Sequence, residues 1–465
     1  MTSVLSGEAA SGVEGVPEVV ARLRRTFAGG RTRSLEWRLE QLAGIERLVV
    51  EREAEIAAAL AEDQGRSAHY AWLGEVAPTV AEAAFARRNL KKWMRTRRTG
   101  LPLTMLPGRA EYRYEPLGVV LVIGPWNYPV YLTLSPLVAA VSAGNCAVLK
   151  PSEHTPETSA LLARLVPQYL DPAAVAVVEG AADATQALLA QAMDHVLFTG
   201  GPEIGKRVLE GAAPHLTPVT LELGGKSPAV VTADADIEVA ARRIAWMKLL
   251  NSGQTCIAPD YALVDVAVRD EFLAALQRTI EEFQVGEPAG RVIDERQFDR
   301  VSRLLGSHGG TVVRGGAEDR ESLKIDPVVV LDPSPDSPLM QEEIFGPVLP
   351  VVTVSSLDEA IRRINSGPKP LAAYLFGSSK TDRERLIDET SSGGVVINHA
   401  AMHCLVPQLP FGGVGNSGMG AYHGRWGFET FSHRKAVLVK PAKPDPSVMY
   451  PPYTESKKKL MRRFF

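Results

Sequence analysis

Cysteine is scarce in this sequence of 465 residues, with thiols only at Cys146, Cys256 and Cys404. Three widely spaced cysteines do not make the disulfide framework of a secreted domain, and they fit a reducing compartment. No Cys-x-x-Cys pair is present, so the cysteines indicate no metal site. These shortages predict a cytoplasmic protein that holds no metal.

The sequence also has little excess charge of either sign and no long apolar run that is free of helix-breaking residues. The formal net charge is −3, which gives no electrostatic support to a nucleic-acid partner. The N-terminus has no basic region followed by an apolar stretch, so we predict no signal peptide. No charged residue lies between Glu115 and Lys150, but Pro125, Pro129 and Pro136 interrupt this segment. We therefore expect a buried strand, a loop and a buried helix there rather than a membrane span.

The patterns that are present predict an α/β fold. Hydrophobic residues make up 45% of the chain and charged residues 23%, as in an ordinary soluble protein, and the length allows two or three domains. The N-terminal part is predicted to be helical, because leucine and isoleucine recur on one helical face from Leu35 to Ile45. Short β-branched runs at 117–123, 147–149, 175–178 and 195–198 then alternate with helical stretches. Such alternation predicts a parallel sheet.

The same alternation resumes after Glu222. Strand patterns at 227–231, 261–264 and 348–354 accompany a helical pattern at 237–250, which predicts a second α/β domain from about 222 to 400. The glycine- and proline-rich block 409–420 is interpreted as a structured loop that returns the chain to the first domain.

A glycine turn between a strand and a helix suits a phosphate group. The strand at 195–198 leads into Gly200 and Gly201, and then into a helix with Pro202 in its first turn and Gly205 one turn later. Free N–H groups at a helix start favour a phosphate. The spacing is not Gly-x-Gly-x-x-Gly, so the ordinary dinucleotide fingerprint is absent, and a plain strand–helix turn is the alternative interpretation.

Two other segments could hold the sugar groups of a nucleotide. Lys150 and Glu153 close a predicted strand, and a carboxylate there could accept hydrogen bonds from ribose hydroxyls. Glu343 and Phe345 lie next to a turn, where a carboxylate could hold a ribose and an aromatic ring could pack on a flat base. Taken singly, the first pair could be only a charged strand end and the second only a loop with a core phenylalanine.

Asn127 lies in the turn at 124–129, directly after the apolar run at 117–123. In α/β sheets ligands bind beyond the carboxyl ends of the strands, so this amide could donate a hydrogen bond to a developing oxyanion. A capping asparagine in a turn is the alternative.

Cys256 and Glu222 together suggest a covalent reaction in two stages. The thiol would hold an acyl group, and the carboxylate would activate the water that removes it. The residues at 251–255 before Cys256 are small and polar, which indicates a hydrogen-bonded turn rather than core, and Gly224 and Gly225 leave space beside Glu222. Alone, the cysteine could be a small core residue, and the glutamate could be a salt-bridged strand end.

Two remaining features receive no catalytic role. His403 is interpreted as structural, because a lone histidine more often has a structural role than a catalytic one. The C-terminus, 457–465, combines Lys and Arg with terminal aromatic residues. It is interpreted as a solvated tail, with a weak peripheral contact with anionic lipid surfaces as the alternative.

Taken together, these motifs resemble the aldehyde dehydrogenase superfamily, over nearly the whole chain from about residue 32. The segments 256–260, 409–415 and 418–424 look like those of the class 3 and fatty aldehyde dehydrogenase branch. The resemblance implies that Cys256 is the nucleophile and Glu222 the base, with a separation of 256 − 222 = 34 residues, and that Asn127 supplies the oxyanion amide. It also implies these cofactor-binding residues: Trp126, Lys150, Glu153, Gly200, Gly201, Gly205, Glu343 and Phe345.

The resemblance further implies the architecture and the reaction. Residues 1–221 would form a helical N-terminus and a Rossmann-like NAD(P)-binding domain with an oligomerisation hairpin near 104–118. Residues 222–400 would form the catalytic domain, and 401–465 would return to the coenzyme domain and end in an oligomerisation tail. The expected protein is a homodimer that uses NAD or NADP to oxidise medium- or long-chain aliphatic, or aromatic, aldehydes to acids through a thioester.

One departure from the family pattern concerns the cofactor phosphates. A Ser common in the family is Gly201 here, and Pro202 replaces a common Thr, so backbone N–H groups must bind the pyrophosphate without a hydroxyl. Two other functions remain as alternatives. One is an acyl-CoA-forming or acyl-phosphate reductase of the same fold, and the other is a thiol hydrolase that needs no cofactor.

Overall fold

The computed structural model describes residues 10–11, 13–285 and 290–463. The N-terminal residues on which the signal-peptide prediction rests, and the final Phe464 and Phe465, lie outside this range. Within it, no helix is both long enough and apolar enough to cross a membrane.

Strands and helices alternate through most of the chain. The strands are β1 Ala10–Ser11, β2 Arg97–Thr99, β3 Arg109–Pro116, β4 Val119–Ile123, β5 Cys146–Lys150, β6 Val175–Glu179, β7 His195–Gly200, β8 Val219–Leu223, β9 Pro228–Val231, β10 Tyr261–Asp265, β11 Thr311–Arg314, β12 Glu318–Asp319, β13 Lys324–Ile325, β14 Val328–Leu331, β15 Val348–Val354, β16 Ala372–Phe376, β17 Gly394–Ile397, β18 Gly418–Met419 and β19 Ser432–Val439. The α-helices are α1 Val16–Ala28, α2 Leu35–Glu51, α3 Glu53–Gln64, α4 Ala68–Ala71, α5 Ala77–Trp93, α6 Tyr131–Ala143, α7 Pro156–Tyr169, α8 Ala182–Leu189, α9 Pro202–Ala212, α10 Ile237–Leu249, α11 Arg269–Phe283, α12 Glu295–Leu305, α13 Pro338–Gln341, α14 Leu357–Ser366, α15 Lys380–Glu389, α16 Gly424–Thr430 and α17 Glu455–Met461.

The first sheet has seven strands in the order β1-β6-β5-β4-β7-β8-β18. Strands β4 to β8 run parallel, and their spatial order is third, second, first, fourth and fifth along the chain. This is the order of doubly wound dinucleotide-binding sheets, in which ligands bind where the order reverses, here between β4 and β7. Every residue of β4 is buried, as its unbroken apolar sequence predicts. The predicted α/β fold class is confirmed.

The predicted domain boundary at residue 222 falls inside β8. This strand pairs with β7 of the first sheet, and it ends at Leu223. On its other side β8 pairs with β18, so Gly418 lies opposite Glu222. The glycine-rich segment therefore contributes an edge strand to the first sheet, and the backbone position of Glu222 is fixed from both sides.

The second sheet also has seven strands, in the order β11-β14-β15-β10-β9-β16-β17. All neighbouring strands are parallel except β11 and β14. The strand patterns at 227–231, 261–264 and 348–354 correspond to β9, β10 and β15. The Cys256 loop precedes β10 and the Glu343 segment precedes β15, so both lie at the amino ends of strands of this sheet.

A small antiparallel sheet combines the two ends of the chain, in the order β19-β3-β2. The oligomerisation hairpin predicted near 104–118 covers only the loop and β3, because its first strand, β2, lies earlier. The hairpin is completed by β19, which pairs with β3 along its whole length. A strand so distant in sequence cannot be inferred from a local hairpin pattern.

Two junctions between helices of the N-terminal part have an irregular backbone. Arg52 separates α2 from α3 with a non-helical backbone, and a π-helical segment, Trp72–Val76, separates α4 from α5. Pro78 lies in the first turn of α5, directly after this π-helical segment.

Candidate active site

A cleft of about 940 Å³ opens at the carboxyl ends of β4, β5, β7 and β8. This is the edge at which parallel sheets of this order bind ligands. All the predicted site residues except one line it: Trp126, Asn127, Lys150, Glu153, Gly200, Gly201, Glu222, Cys256, Glu343 and Phe345. Side chains from both halves of the chain thus meet in one cavity.

The exception is Gly205, which lies inside α9 and does not line the cleft. A Cβ at this position would be 3.1 Å from Leu223 Cδ2, so the glycine allows α9 to approach β8 closely. The contact that the structure shows for Gly205 is thus a packing contact, and its cofactor role stays a prediction. Gly201 differs, since a Cβ there would have no atom within 4 Å and the residue faces open space in front of the helix.

The start of α9 fits a phosphate. Gly201 is the N-cap residue and provides no side-chain cap, and Pro202 follows. The first-turn N–H groups of an uncapped helix need partners, and the helix dipole favours an anion there. This observation supports the predicted use of backbone N–H groups in place of the missing hydroxyl.

Lys150 and Glu153 form an ion pair of 2.6 Å at the cleft wall. Lys150 is buried and Glu153 is partly exposed, with 40% of its side chain accessible. Burial alone would raise the pKa of Glu153, but hydrogen bonds from Lys150 and from the backbone outweigh this effect, and the pKa is lowered. Glu153 is therefore ionised at neutral pH and can accept hydrogen bonds from a diol.

The loop before Cys256 has a strained backbone. Asn251, Ser252 and Gly253 adopt φ values of 52°, 53° and 75°, and a Cβ at Gly253 would lie 2.2 Å from the carbonyl oxygen of Gly346. Gln254 holds the loop by donating to the Asn251 and Arg291 carbonyls at 3.0 and 2.8 Å. Consecutive residues in this region are costly and persist where surrounding contacts impose them, often at active sites.

Cys256 lies at the end of this loop, between the cleft and a second cavity. Burial raises the pKa of its thiol, and the charges of Glu343 and Glu222 raise it further, whereas its own backbone N–H opposes the rise. The resting side chain is therefore a thiol, and a proton acceptor is needed before it can attack as a thiolate.

Asn127 is held against the Cys256 loop. Its side-chain Nδ2 donates to the Gln254 carbonyl at 3.1 Å, and its own carbonyl accepts from Asn251 Nδ2 at 3.0 Å. An amide nitrogen carries two hydrogens, so one N–H of Asn127 remains available to a ligand in the cleft.

Glu222 is buried, and neither carboxylate oxygen has a hydrogen-bond partner among the described residues. Burial raises its pKa well above the ordinary value. An unpartnered buried carboxyl group is costly and marks a site where water or a ligand belongs. Glu222 and Cys256 both line the cleft and the second cavity.

Glu343 rests on the glycine pair that follows Glu222. A Cβ at Gly224 would lie 2.2 Å from both of its carboxylate oxygens, and the Gly225 N–H donates to it. Burial raises the pKa of Glu343 to about 7. The neighbouring Phe345 packs edge-on against Trp126, with ring centroids 5.3 Å apart. The two glycines thus leave room for the carboxyl group of Glu343, in addition to the space beside Glu222 that the sequence predicts.

A buried ion pair that sequence reasoning missed joins three of these segments. Lys226 and Asp260 lie four residues after Glu222 and Cys256 respectively, and their side chains form a close ion pair. Lys226 Nζ also donates to the Leu339 and Glu342 carbonyls at 2.9 Å, and the Ile344 N–H donates to Asp260 at 2.9 Å. In the sequence, the available signal was that Lys226 and Asp260 each follow a predicted catalytic residue by the same number of positions.

The second cavity was also missed. It measures about 140 Å³ and is lined mainly by apolar and aromatic side chains: Leu73, Tyr128, Tyr131, Leu132, Trp246, Met247, Leu250, Ile257, Leu371, Met402, Cys404, Leu405, Phe411, Tyr422 and His423. Thr199, Glu222 and Cys256 line both cavities. A flat cofactor in the cleft and an apolar ligand in this pocket would therefore meet at Cys256.

Histidines do not make a metal site here. His399 and His403 have a His-x-x-x-His spacing, but His399 Nδ1 contacts the backbone of Ala400, and the ring of His403 packs on Phe411 at 5.6 Å. Across the described ranges, no group of three or more His, Cys, Asp or Glu could hold a metal ion. Burial lowers the pKa of His423 to about 3, so this pocket residue is neutral at physiological pH.

Comparisons with known proteins agree on one family. The model of the aldehyde dehydrogenase family matches residues 2–437. The chain is 47% identical over 445 residues to aldehyde dehydrogenase family 3 member A2 of Rattus norvegicus, covering 94% of this chain and 92% of that protein. It is 47% identical over 431 residues to the aldehyde dehydrogenase of the same organism named dimeric NADP-preferring, covering 91% and 94%. A solved structure described as the substrate bound state of Staphylococcus aureus AldH matches with a TM-score of 0.93 and 40% identity, over 97% of this chain and 99% of that chain.

Proposed function

The chain belongs to the aldehyde dehydrogenase family and is an NAD(P)-dependent aldehyde dehydrogenase, and we propose that Cys256, Asn127 and Glu222 carry its reaction. The observation that carries this proposal is the position of Cys256 and Glu222 in the wall shared by the polar cleft and the apolar pocket. An aldehyde in the pocket and a cofactor in the cleft would reach the same thiol.

The cleft fits NAD or NADP. The open start of α9 would bind the pyrophosphate, the ion-paired Lys150 and Glu153 the adenosine ribose, and Trp126, Glu343 and Phe345 the nicotinamide side. When bound, the cofactor supplies the acceptor for the hydride that leaves the aldehyde carbon. Ionised Glu153 favours a free 2′-hydroxyl, whereas the relative named NADP-preferring favours NADP, so both cofactors are part of the proposal.

In the first half-reaction the thiol of Cys256 releases its proton to solvent through the open cleft, and the resulting thiolate attacks the aldehyde carbon and forms a tetrahedral adduct. The free N–H of the Asn127 amide and the backbone N–H of Cys256 would donate to the oxyanion, and each such donor is worth roughly 3 kcal/mol. The bond of Asn127 to the Gln254 carbonyl fixes the direction of its remaining N–H, so little reorganisation is needed. Loss of hydride leaves the acyl group on Sγ as a thioester.

In the second half-reaction Glu222 deprotonates a water molecule, which attacks the thioester carbon and releases the acid and the free thiol. The absence of a hydrogen-bond partner for either carboxylate oxygen among the described residues leaves Glu222 free to bind that water. Its raised pKa makes it a stronger base once ionised. This carboxylate also favours water as the acyl acceptor over CoA or phosphate.

The apolar pocket supports medium- or long-chain aliphatic, or aromatic, aldehydes as substrates. Its walls include the rings of Tyr128, Tyr131 and Phe411, which suit hydrocarbon chains and flat rings better than polar groups.

A homodimer is proposed from the small sheet and from the relatives. The outer edge of β19 has no strand partner among the described residues, and Leu438 and Val439 on it are 54% and 44% exposed. A long exposed edge of this kind needs a cover. One relative is named dimeric. The cytoplasmic location and a weak contact of the tail with anionic lipid stay predictions.

The test is a panel of aldehydes of graded chain length, assayed with NAD and with NADP by the absorbance of the reduced cofactor, with and without CoA. We expect oxidation of apolar aldehydes to the free acid, without stimulation by CoA. Formation of an acyl-CoA would favour the reductase alternative, and ester hydrolysis as the sole activity, without cofactor binding, would favour the thiol hydrolase.

A further inference from the structure

Arg66 is the largest fully buried side chain among the described residues, and no step proposed so far uses it. It follows the left-handed Gly65 that ends α3, and its side-chain exposure is 1%. A buried guanidinium remains charged and must be fully paired, so its partners show what it is there to hold.

The guanidinium contacts three different segments. Its Nε donates to Asn251 Oδ1 at 3.1 Å, its Nη1 donates to Glu75 Oε1 at 2.9 Å, and its Nη2 donates to the Asn127 carbonyl. The Cζ atom also lies 4.6 Å from the centre of the Tyr128 ring. One planar group thus connects the strained turn before Cys256 with the segment that carries the oxyanion amide.

Glu75 completes the connection. Its second oxygen, Oε2, accepts from the Val130 and Tyr131 N–H groups at 3.1 and 2.7 Å, where α6 begins. Glu75 lies in the π-helical segment 72–76, and such segments often place a side chain at a functional site. Burial raises the pKa of Glu75 to about 7, whereas Arg66 and the two N–H donors oppose the rise.

These contacts fix the positions of Asn127 and of the Cys256 loop, which together would hold the oxyanion. The Asn127 carbonyl accepts from Arg66 and from Asn251 Nδ2, while the Asn127 side chain donates to the Gln254 carbonyl. Asn251 therefore stands between Arg66 and Asn127, and its left-handed φ of 52° belongs to the turn that ends at Cys256. Displacing Arg66 would loosen the amide and the thiol loop together.

We propose that Arg66 is a positioning residue, which holds the amide of Asn127 and the loop of Cys256 in register for formation of the tetrahedral adduct. This inference rests on the proposed oxyanion role of Asn127. Arginine is required because its fork presents donors to three acceptors in one plane, whereas a lysine has a single nitrogen.

The test compares Arg66→Lys with Arg38→Lys. Arg38 is a matched control, because it is also buried and donates to two carbonyls, of Thr32 and Ser142, but none of its hydrogen-bond partners lies in the Asn127 or Cys256 segment. With saturating cofactor, we expect Arg66→Lys to lower kcat for aldehyde oxidation about 10- to 100-fold, because small misplacements of reacting groups have effects of this size. We expect Arg38→Lys to lower the Tm by about as much as Arg66→Lys does, and to leave kcat within about twofold of the parent.

A double-mutant cycle with Asn127→Ala separates this inference from the proposed function. Asn127→Ala alone should lower kcat about 10²- to 10³-fold, and Arg66→Lys should cost less in this background than in the parent, because the part of its effect that acts through the amide is already lost. An unchanged kcat in Asn127→Ala would remove the oxyanion role itself. Additive effects, or equal kcat losses in Arg66→Lys and Arg38→Lys, would overturn the positioning role and leave the oxyanion role standing.

A second variant keeps the test decisive if Arg66→Lys does not fold. Asn251→Gly retains the left-handed backbone but removes the amide between Arg66 and Asn127. We expect a loss of kcat comparable to that of Arg66→Lys, with little change in the KM for cofactor. Parental kcat in folded Asn251→Gly would contradict the inference.

Discussion

The polar cleft and the apolar pocket share Thr199, Glu222 and Cys256, but different parts of the chain build them. The cleft consists of strand ends, glycine turns and the start of a helix, so its shape depends mainly on the backbone. The pocket consists of side chains from separate helices and loops. The family's common chemistry would therefore depend on the cleft and the shared wall, whereas the choice of aldehyde would depend on the pocket.

The largest effect is expected at the shared wall. Cys256→Ala should lower aldehyde oxidation at least about 10³-fold, because the thiol that would hold the acyl intermediate is removed. The affinity of this variant for NAD or NADP, measured by the quenching of protein fluorescence, should change little. Cys146→Ala, which alters a buried thiol of β5 away from both cavities, is the control and should keep its activity. Normal turnover of Cys256→Ala would remove the nucleophile assignment.

The pH dependence should separate the shared wall from the cleft. Burial raises the pKa values of Cys256 and Glu222, so their neutral forms predominate at low pH and ionisation is favoured as the pH rises. We expect kcat to fall about tenfold for each unit by which the pH is lowered, while the group that limits turnover is mainly protonated. The lowered pKa of Glu153 keeps this carboxylate ionised throughout, so any change in the KM for cofactor near neutrality should come from Glu343, whose pKa is raised to about 7. A kcat that does not change between pH 6 and 8 would contradict this account.

A change confined to the cleft should affect the cofactor alone. Lys150→Met should raise the KM for NAD and NADP about tenfold and leave kcat at saturation nearly unchanged, since uniform binding is lost. Lys458→Met is the control, because Lys458 forms an ion pair of 2.7 Å with Glu455, three residues before it, and neither residue lines the cleft. Equal KM values for the two variants would show that Lys150 has no cofactor role.

The smallest effect is expected in the pocket. Met402→Ala should shift the ratio of kcat/KM between long and short aldehydes severalfold, because one or a few methylenes in an apolar pocket discriminate weakly. Cofactor KM should not change. Val406→Ala, on the same segment but outside the pocket, should leave the ratio unaltered. If both variants gave the same ratio as the parent, the pocket would not be the aldehyde site.

The sequence predicted the cleft well, because parallel strands end at a common edge. The runs before Asn127, Lys150 and Gly200 are buried strands, so their following residues had to lie together. Gly205 does not line the cleft and packs near β8, and in the sequence a glycine that permits helix packing resembles one that permits cofactor binding. The packing contact of Gly205 is with Leu223 of the neighbouring strand β8, and nothing in the sequence near either residue predicts this contact.

The pocket and Arg66 could not be predicted in the same way. The pocket residues come from distant segments, such as those around Leu73, Tyr131 and Phe411, and no local spacing links them. Arg66 follows a helix-ending glycine and has the sequence context of a solvated charge, yet it is fully buried. Both features depend on how the two α/β units pack on the helical N-terminus.

The most direct test of the central claim is a rapid-mixing experiment with Glu222→Gln, NAD and an apolar aldehyde. If Cys256 holds the acyl group and Glu222 activates the water that removes it, the variant should release about one equivalent of NADH per active site in a burst. Steady-state turnover should then be about 10²- to 10⁴-fold slower than in the parent, and mass spectrometry should find the acyl group on Cys256. Parental turnover without an acylated Cys256 would contradict the account.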